Sequence, residues 1–160
     1  MPNTKGFSLS ARSFSIWTER GEQVYGSGDD FEQITAQAYP SFFNASNTNN
    51  TFDDRSDNKG PEPEGVTVGK AYGRNYAFIG LERIGGVMVY EVTNPRAPEF
   101  IQYINNRNFL APTNSPAAGD LGPEGLHFIS DEDSPTGTPL LVVANEISGT
   151  TTVYEVVQVR

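Results

Sequence analysis

The tripeptide Pro-Glu-Gly occurs twice in the sequence, each time directly before an apolar run. Glu64 lies in "GPEPEGVTVG" and Glu124 in "LGPEGLHFIS", while Glu62 adds a carboxylate beside the first copy. Carboxylate oxygens suit Ca²⁺ or Mg²⁺, which need neither histidine nor cysteine as ligands. The repeat therefore predicts a cation site if the fold brings the glutamates together. The alternative is structural, because Pro fixes φ and Gly takes a positive φ, so Pro-Glu-Gly also suits a turn.

A second candidate for calcium is the acidic stretch "FDDRSDNKG". It supplies oxygen ligands from four residues within a short span, Asp53, Asp54, Asp57 and Asn58. Dense oxygen ligands on a loop that ends in glycine suit the high coordination number of Ca²⁺. The spacing departs from the EF-hand pattern, and no glutamate follows at the twelfth position of that pattern. A solvated loop is the alternative.

Further candidates lie at the ends of predicted strands. Glu82 and Glu146 each follow an apolar strand, where they could line a channel. Arg83 directly follows Glu82, so an ion-pair network is the structural alternative. His127, in "GLHFIS", is interpreted as a core or channel-lining residue, because no serine-triad spacing or GxSxG elbow accompanies it.

The composition excludes several classes of function. Twenty acidic against eleven basic residues give a net charge of −9, which argues against a nucleic-acid partner because phosphate binding needs a basic face. The chain has no cysteine and one histidine, so disulfides, thiol nucleophiles and multi-histidine zinc sites are excluded. No apolar run approaches the ~20 residues of a membrane helix, and the start, "MPNTKGFSLS", lacks a secretory-signal pattern.

Strand patterns dominate the rest of the chain and must position these side chains. One short helix is predicted in "DDFEQITAQAY", where Phe31, Ile34 and Ala38 share a face after an N-cap at Asp29 or Asp30. Strands are predicted at 13–19, 22–28, 65–69, 75–81, 85–93, 98–105, 125–133, 138–146 and 149–159.

The strands are arranged in a repeat. The units beginning at Pro63 and Pro123 both run Pro-Glu-Gly, strand, polar turn, apolar strand, Glu, Gly-containing turn and a strand ending Val-Tyr-Glu-Val. A Pro-bounded segment, "TNPRAPEFIQYI", adds a fourth strand after the first unit. This pattern predicts an all-β fold of two to three β-propeller blades, with four-stranded antiparallel sheets, long loops and one short helix.

The repeat also predicts how one partial propeller is divided over residues 1–160. The predicted parts are the tail of a preceding blade at 11–27, an inserted loop with the short helix at 28–60, a blade at 61–105, a loop at 106–121 and a blade at 122–160. A closed propeller needs at least ~4 blades, more than this repeat provides. We therefore expect missing blades to come from further copies of the chain or from a companion chain.

The motif strings "FDDRSDNKGPEPEGV", "YAFIGLERIGGVMVYEVTNPRAPEFIQYINNRNF" and "GDLGPEGLHFIS" resemble the choice-of-anchor I family. The resemblance extends from "ARSFSIW" at residue 11 to the end of the chain. This stretch looks like the C-terminal part of the family's propeller. It implies an extracellular protein of the β-propeller type, related to mesenchyme-specific cell-surface glycoproteins and secreted, periplasmic or at the cell surface. Many relatives carry an alkaline phosphatase label.

Two functions follow as hypotheses. The first is a binding or scaffolding module, stabilised by calcium, whose open blade edges could also pair with copies or a partner chain. The second is a metal-dependent phosphoesterase of the phytase or alkaline phosphatase type, in which channel-bound Ca²⁺ polarises phosphate and activates water while basic side chains neutralise the substrate. Its parts would be Glu62, Glu64, Glu124, Asp57 with Lys59, and Arg83.

Overall fold

The computed structural model describes the backbone of residues 7–10 and the chain from residue 12 to residue 158. These residues form ten β-strands, one α-helix and two 3-10 turns, the latter at Pro40–Phe42 and Pro116–Ala118. The elements are β1 (Phe7–Ser10), β2 (Ser13–Trp17), β3 (Gln23–Gly26), α1 (Asp30–Ala38), β4 (Pro63–Ala71), β5 (Arg74–Leu81), β6 (Val87–Glu91), β7 (Glu99–Ile104), β8 (Pro123–Ile129), β9 (Leu140–Asn145) and β10 (Thr150–Glu155). None of the helices in these ranges has the length and apolar character needed to cross a membrane.

The strands form three antiparallel sheets. We call them the N-terminal sheet (order β1-β2-β3), the middle sheet (β4-β5-β6-β7) and the C-terminal sheet (β10-β9-β8). The predicted all-β fold with one short helix is confirmed, and the sheets are consistent with partial propeller blades. Within the described residues only the middle sheet reaches four strands, and β1 is a strand that the sequence patterns do not predict. The division of the chain into blades and loops stays a prediction.

The middle and C-terminal sheets share equivalent hydrogen bonds. The Glu82 N–H donates to the Glu62 carbonyl at 2.8 Å, and the Glu146 N–H donates to the Gly122 carbonyl at 2.7 Å. A second equivalent pair joins β6 to β5 and β10 to β9: Val92 N–H to Asn75 O, and Val156 N–H to Pro139 O, both at 2.8 Å. The sequence repeat thus corresponds to strands in equivalent positions, with β6 matching β10.

Pro-Glu-Gly lies inside the first strand of each of these two sheets. Pro63 and Pro123 are the first residues of β4 and β8, where the missing N–H of proline is tolerated, and the pairing register shifts directly after each of them. The positive φ belongs to the preceding residue, 50° at Glu62 and 71° at Gly122, not to the glycine of the tripeptide. The turn interpretation of Pro-Glu-Gly is therefore wrong, because the tripeptide is a bulged strand start.

Two apolar clusters hold the sheets together. The larger lies between the N-terminal and middle sheets, where Phe14 of β2 contacts Tyr90 of β6 with ring centroids 4.9 Å apart and Phe31 of α1 lies beside both rings. The smaller lies between the middle and C-terminal sheets and contains Phe78 of β5 and Leu141 of β9. Because side chains alternate along a strand, β5 contributes to both clusters and is buried on both faces.

Candidate metal centre

Three glutamates converge at the start of the middle sheet. Glu62, Glu64 and Glu82 each place a carboxylate oxygen within 4.8 Å of the others. Glu62 directly precedes β4, with a φ of 50°, and Glu64 is the second residue of that strand. The pairing of Pro63 with Leu81 brings Glu82, the residue after β5, opposite Glu62. We call these three residues the acidic centre.

The members of the acidic centre differ in burial. Glu62 and Glu82 are each 5% exposed, whereas Glu64 is exposed. Buried carboxylates need compensation by hydrogen bonds or opposite charge. The exposed Glu64 leaves one side of the centre open to solvent, where an ion could enter.

Two cations and one amide contact the buried pair. Lys59 Nζ and Arg83 Nε both donate to the Glu62 carboxylate. Arg83 Nη1 lies 3.0 Å from Glu82 Oε1, which also accepts a hydrogen bond from Asn47 Nδ2 at 2.8 Å. The ion-pair network expected between Glu82 and Arg83 is present and extends to Glu62.

The pKa values of the two buried carboxyl groups are shifted in opposite directions. Burial, followed by the hydrogen bond with Glu62, raises the pKa of Glu82 to about 7, and the Arg83 charge only partly opposes the rise. Burial also raises the pKa of Glu62, but hydrogen bonds from Lys59 and Glu82 together with Arg83 outweigh it and hold the pKa below its ordinary value. Near neutral pH, Glu82 therefore shares a proton with an ionised Glu62.

The row of carboxylates continues into the C-terminal sheet. The hydrogen bond with Glu64, followed by burial and the charge of Glu146, raises the pKa of Glu124. Both Glu124 and Glu146 are exposed. The two copies of Pro-Glu-Gly thus do lie side by side, and their glutamates face each other across the two sheets.

A buried arginine holds the loop that contributes Asn47. Arg107 is 5% exposed, and its guanidinium donates to the carbonyls of Arg83 and Ser46 at 2.9 and 2.7 Å. The same group lies 4.4 Å from the centre of the Phe109 ring. In the sequence, Asn47 and Arg107 both lie in predicted loops, at 28–60 and 106–121. Local patterns therefore predict neither the role of Arg107 nor that of Asn47.

The chain matches the choice-of-anchor I domain model over residues 3–95, more than half of its length. It belongs to the choice-of-anchor I family. Gigasin-3a from Magallana gigas is 30% identical over 164 residues, which cover 95% of this chain and 58% of the relative. The mesenchyme-specific cell surface glycoprotein of Strongylocentrotus purpuratus is 28% identical over 96 residues, which cover 54% of this chain and 12% of the relative. The chain thus spans only part of both relatives, and no solved structure matches it.

All three members of the acidic centre lie within the matched part of the choice-of-anchor I domain, whereas Glu124 and Glu146 follow it. The family resemblance and the converging carboxylates are independent observations. The first rests on extended motif strings, and the second on strand pairing. The acidic centre is accordingly the candidate functional site of this family member.

The aspartates of the 53–58 loop do not join this centre. In the described chain the side-chain oxygens of this loop accept hydrogen bonds from nearby residues. Asp53 accepts from Ser56 Oγ, Asp54 accepts from Asn49 Nδ2 at 3.1 Å, and Asn58 Oδ1 accepts from the Lys59 N–H at 2.6 Å. Asp57 is exposed. Across the described ranges the acidic centre is the group of three carboxylates that converges. Calcium binding by the 53–58 loop stays a prediction.

His127 lies on β8 and is exposed. Its neighbours Leu126 and Phe128 pack toward the second apolar cluster, so alternation directs the imidazole to the opposite face. The interpretation of His127 as a buried core residue is therefore wrong. A channel-lining role for this residue stays a prediction.

Proposed function

We propose that this choice-of-anchor I module is an extracellular or cell-surface binding or scaffolding domain stabilised by Ca²⁺ at the acidic centre. The observation that carries the proposal is the convergence of Glu62, Glu64 and Glu82 on one point. Membership of the family and the similarity to a protein named as a cell surface glycoprotein support the location. The oxygen-only ligand set supports a hard cation such as Ca²⁺.

When all three are ionised, the carboxylates of the centre exceed its two cationic side chains, Lys59 and Arg83, by one negative charge. With Lys59 and Arg83 in place, the pKa of Glu82 is still raised to about 7, so the site retains a proton where a free glutamate would have none. A divalent cation would displace this proton and interact with both ionised carboxylates, since metal binding requires deprotonated ligands. The ion would join the start of β4, the end of β5 and the exposed Glu64.

The expected consequence is stabilisation by mass action. A ligand that binds only the folded state at 100 times its Kd stabilises it by about 2.7 kcal/mol. We expect the unfolding temperature to rise when Ca²⁺ replaces EGTA, and Glu64→Gln to lose most of this rise. Glu64 suits the test because it is exposed, so the substitution leaves the buried ion pairs intact.

The matched control is Glu99→Gln, which changes an exposed glutamate on β7. This variant should keep the full calcium response. Equal unfolding temperatures of the wild-type chain in Ca²⁺ and in EGTA would contradict the proposal, and so would an equal calcium response in Glu64→Gln.

The phosphoesterase alternative finds less support in the geometry. Such an enzyme needs basic side chains that are free to neutralise phosphate, whereas Lys59 and Arg83 are engaged with Glu62 and Glu82. A scaffold requires no free cationic group. We therefore favour binding over catalysis, and expect hydrolysis of a phosphate monoester in Ca²⁺ to stay at the rate of the buffer.

We propose in addition that the sheets of this module continue into sheets of other polypeptides, either further copies or a companion chain. The apolar side chains that remain exposed on the strands support this proposal, including Phe100 at 43%, Ile101 at 48% and Val153 at 56% exposure. Exposed apolar strand surface favours association.

A further inference from the structure

We propose that the Lys59 ammonium occupies the place of the cation at the acidic centre and leaves it when Ca²⁺ binds, so that Lys59 sets the calcium affinity of the module. This inference rests on the proposed function and adds the regulation of the same site. Calcium has to displace a positive charge that belongs to the chain itself.

Both oxygens of the Glu62 carboxylate already have a positively charged partner. Lys59 Nζ donates to Oε1, and Arg83 Nε donates to Oε2. Glu62 is one of the three residues whose carboxylate oxygens converge, so an ion held by all three would contact one of these two oxygens. Two cations on one carboxylate oxygen repel each other strongly where solvent is excluded, and Glu62 is 5% exposed. One of the two side chains must therefore yield its oxygen to the ion.

Lys59 is the partner that can leave. Its side chain is 47% exposed, against 20% for that of Arg83. Arg83 also lies 3.0 Å from Glu82 Oε1 and donates to Asn47 Oδ1 at 3.1 Å, so its release would break contacts with three residues. Among the described residues, the Lys59 ammonium makes its hydrogen bond to Glu62 alone.

The backbone of Lys59 is held in place independently of its ammonium. The Lys59 N–H donates to Asn58 Oδ1 at 2.6 Å and to the Arg55 carbonyl at 3.1 Å. A flexible four-carbon stem carries the ammonium, and rotation about its bonds moves the charge into solvent while these backbone contacts persist. The exchange therefore requires a change of side-chain rotamer and no rearrangement of the strands.

The charges favour exchange over simple addition of an ion. Adding Ca²⁺ to three ionised carboxylates with both Lys59 and Arg83 in place would leave one positive charge, whereas Ca²⁺ in place of Lys59 leaves none. Unbalanced charge is costly where two of the carboxylates are buried. The released ammonium is a single charge at the exposed rim and Arg83 stays paired, so binding is still favoured over phosphate chemistry.

Amine labelling of the wild-type chain tests the exchange. An N-hydroxysuccinimide ester of acetic acid acetylates accessible lysines, and peptide mass spectrometry compares Lys59 with Lys70, an exposed lysine of β4. We expect Lys59 to react more slowly than Lys70 in EGTA, because Glu62 holds its ammonium, and at the rate of Lys70 in saturating CaCl₂. Equal labelling of Lys59 in EGTA and in CaCl₂ would overturn the inference.

Three variants test the effect on affinity by isothermal titration calorimetry with CaCl₂. Lys59→Met keeps the aliphatic stem without the charge and should bind Ca²⁺ about tenfold more tightly than the wild-type chain, equivalent to 1.4 kcal/mol. Lys59→Arg keeps the charge and should bind no more tightly than the wild-type chain. The control Lys70→Met should stay within about twofold of it. Circular dichroism verifies that Lys59→Met is folded, and if it is not, the labelling of the wild-type chain decides.

The outcomes separate this inference from the proposed function. Calcium-dependent heat in the wild-type chain, with equal affinity in Lys59→Met, would overturn the exchange and leave the calcium site in place. Heat in Lys59→Met alone would support the exchange and contradict calcium stabilisation of the wild-type module. Absence of heat in the wild-type chain and in every variant would overturn both.

Discussion

At the residue scale, Glu82 keeps its proton well above the pH at which a free glutamate loses it. Burial and the hydrogen bond with Glu62 raise its pKa from 4.5 to about 7. A raised pKa in the folded state contributes stability that is fully present below the unfolded pKa and is lost as pH rises through the folded one. Without calcium, the free energy of unfolding should therefore contain a term that decreases between pH 4.5 and 7.

Chemical denaturation in EGTA at several pH values measures this term. Glu82→Gln should remove the decrease between pH 4.5 and 7, whereas Glu146→Gln, at the equivalent but exposed position, should retain it. The Glu62 term has the opposite sign, because its pKa is lowered, and it is lost only as pH falls below about 4.5. A Glu82→Gln variant with an unchanged profile would contradict the assignment.

Arg107 is expected to contribute strongly to the free energy of unfolding. Its guanidinium donates to backbone carbonyls on both sides, Arg83 and Ser46 among them. Arg107→Ala leaves these acceptors buried and unpaired, so we expect a loss of about 3 kcal/mol in the free energy of unfolding. The control is Arg74→Ala, which removes an exposed pair with Glu91 at 3.4 Å and should cost less than about 1 kcal/mol. Urea denaturation distinguishes the two.

The sequence predicts some residues of the site and not others. Glu62, Glu64 and Glu82 can be found because two of them lie in or beside a repeated tripeptide and the third follows an apolar strand. Asn47 cannot, because it contacts Glu82 across 35 positions in sequence from within an irregular loop. Long-range contacts of this kind depend on the path of the loop, which no local pattern determines.

At the element scale, glycines allow the middle and C-terminal sheets to approach each other. A Cβ added at Gly65 of β4 would lie 2.1 Å from the Glu124 carbonyl oxygen and 2.4 Å from Leu126 Cδ1. The Glu124 oxygen belongs to the backbone and cannot move without moving β8. Gly65 is therefore required by the close contact between strands, and not by an unusual backbone conformation.

Gly65→Ala should separate the two sheets. We expect a loss of about 2 kcal/mol or more in the free energy of unfolding, as for an overpacked core. The control is Gly26→Ala, where an added Cβ meets only the end of the Gln23 side chain within 3 Å, which can rotate away. Equal stability of the two variants in thermal or urea unfolding would show that the sheets are not in close contact.

The elements themselves were largely predictable. The strand patterns of the sequence predict nine of the ten strands, and the i, i+3, i+7 spacing after Asp29 or Asp30 predicts α1. The bulged start of β4 was not predictable, because proline and glycine signal a turn as strongly as a strand entry. The positive φ falls instead on Glu62, a residue type that gives no such signal.

At the scale of the whole molecule, the repeat predicts stacked antiparallel sheets, and the structure contains three of them. The cavity lined by Ile101 of β7 and Tyr154 of β10 was not predictable, because it arises where strands distant in sequence pack together. The acidic centre lies at the start of β4 and the end of β5, next to the equivalent glutamates of the C-terminal sheet. The proposed function requires Ca²⁺ to bind at this centre.

Isothermal titration calorimetry of the chain with CaCl₂ measures this binding. We predict one ion bound per acidic centre, tighter binding at pH 8 than at pH 6 because the Glu82 proton must leave, and loss of binding in Glu64→Gln but not in Glu99→Gln. Absence of calcium-dependent heat at either pH would contradict the claim, and undiminished binding in Glu64→Gln would place the ion elsewhere.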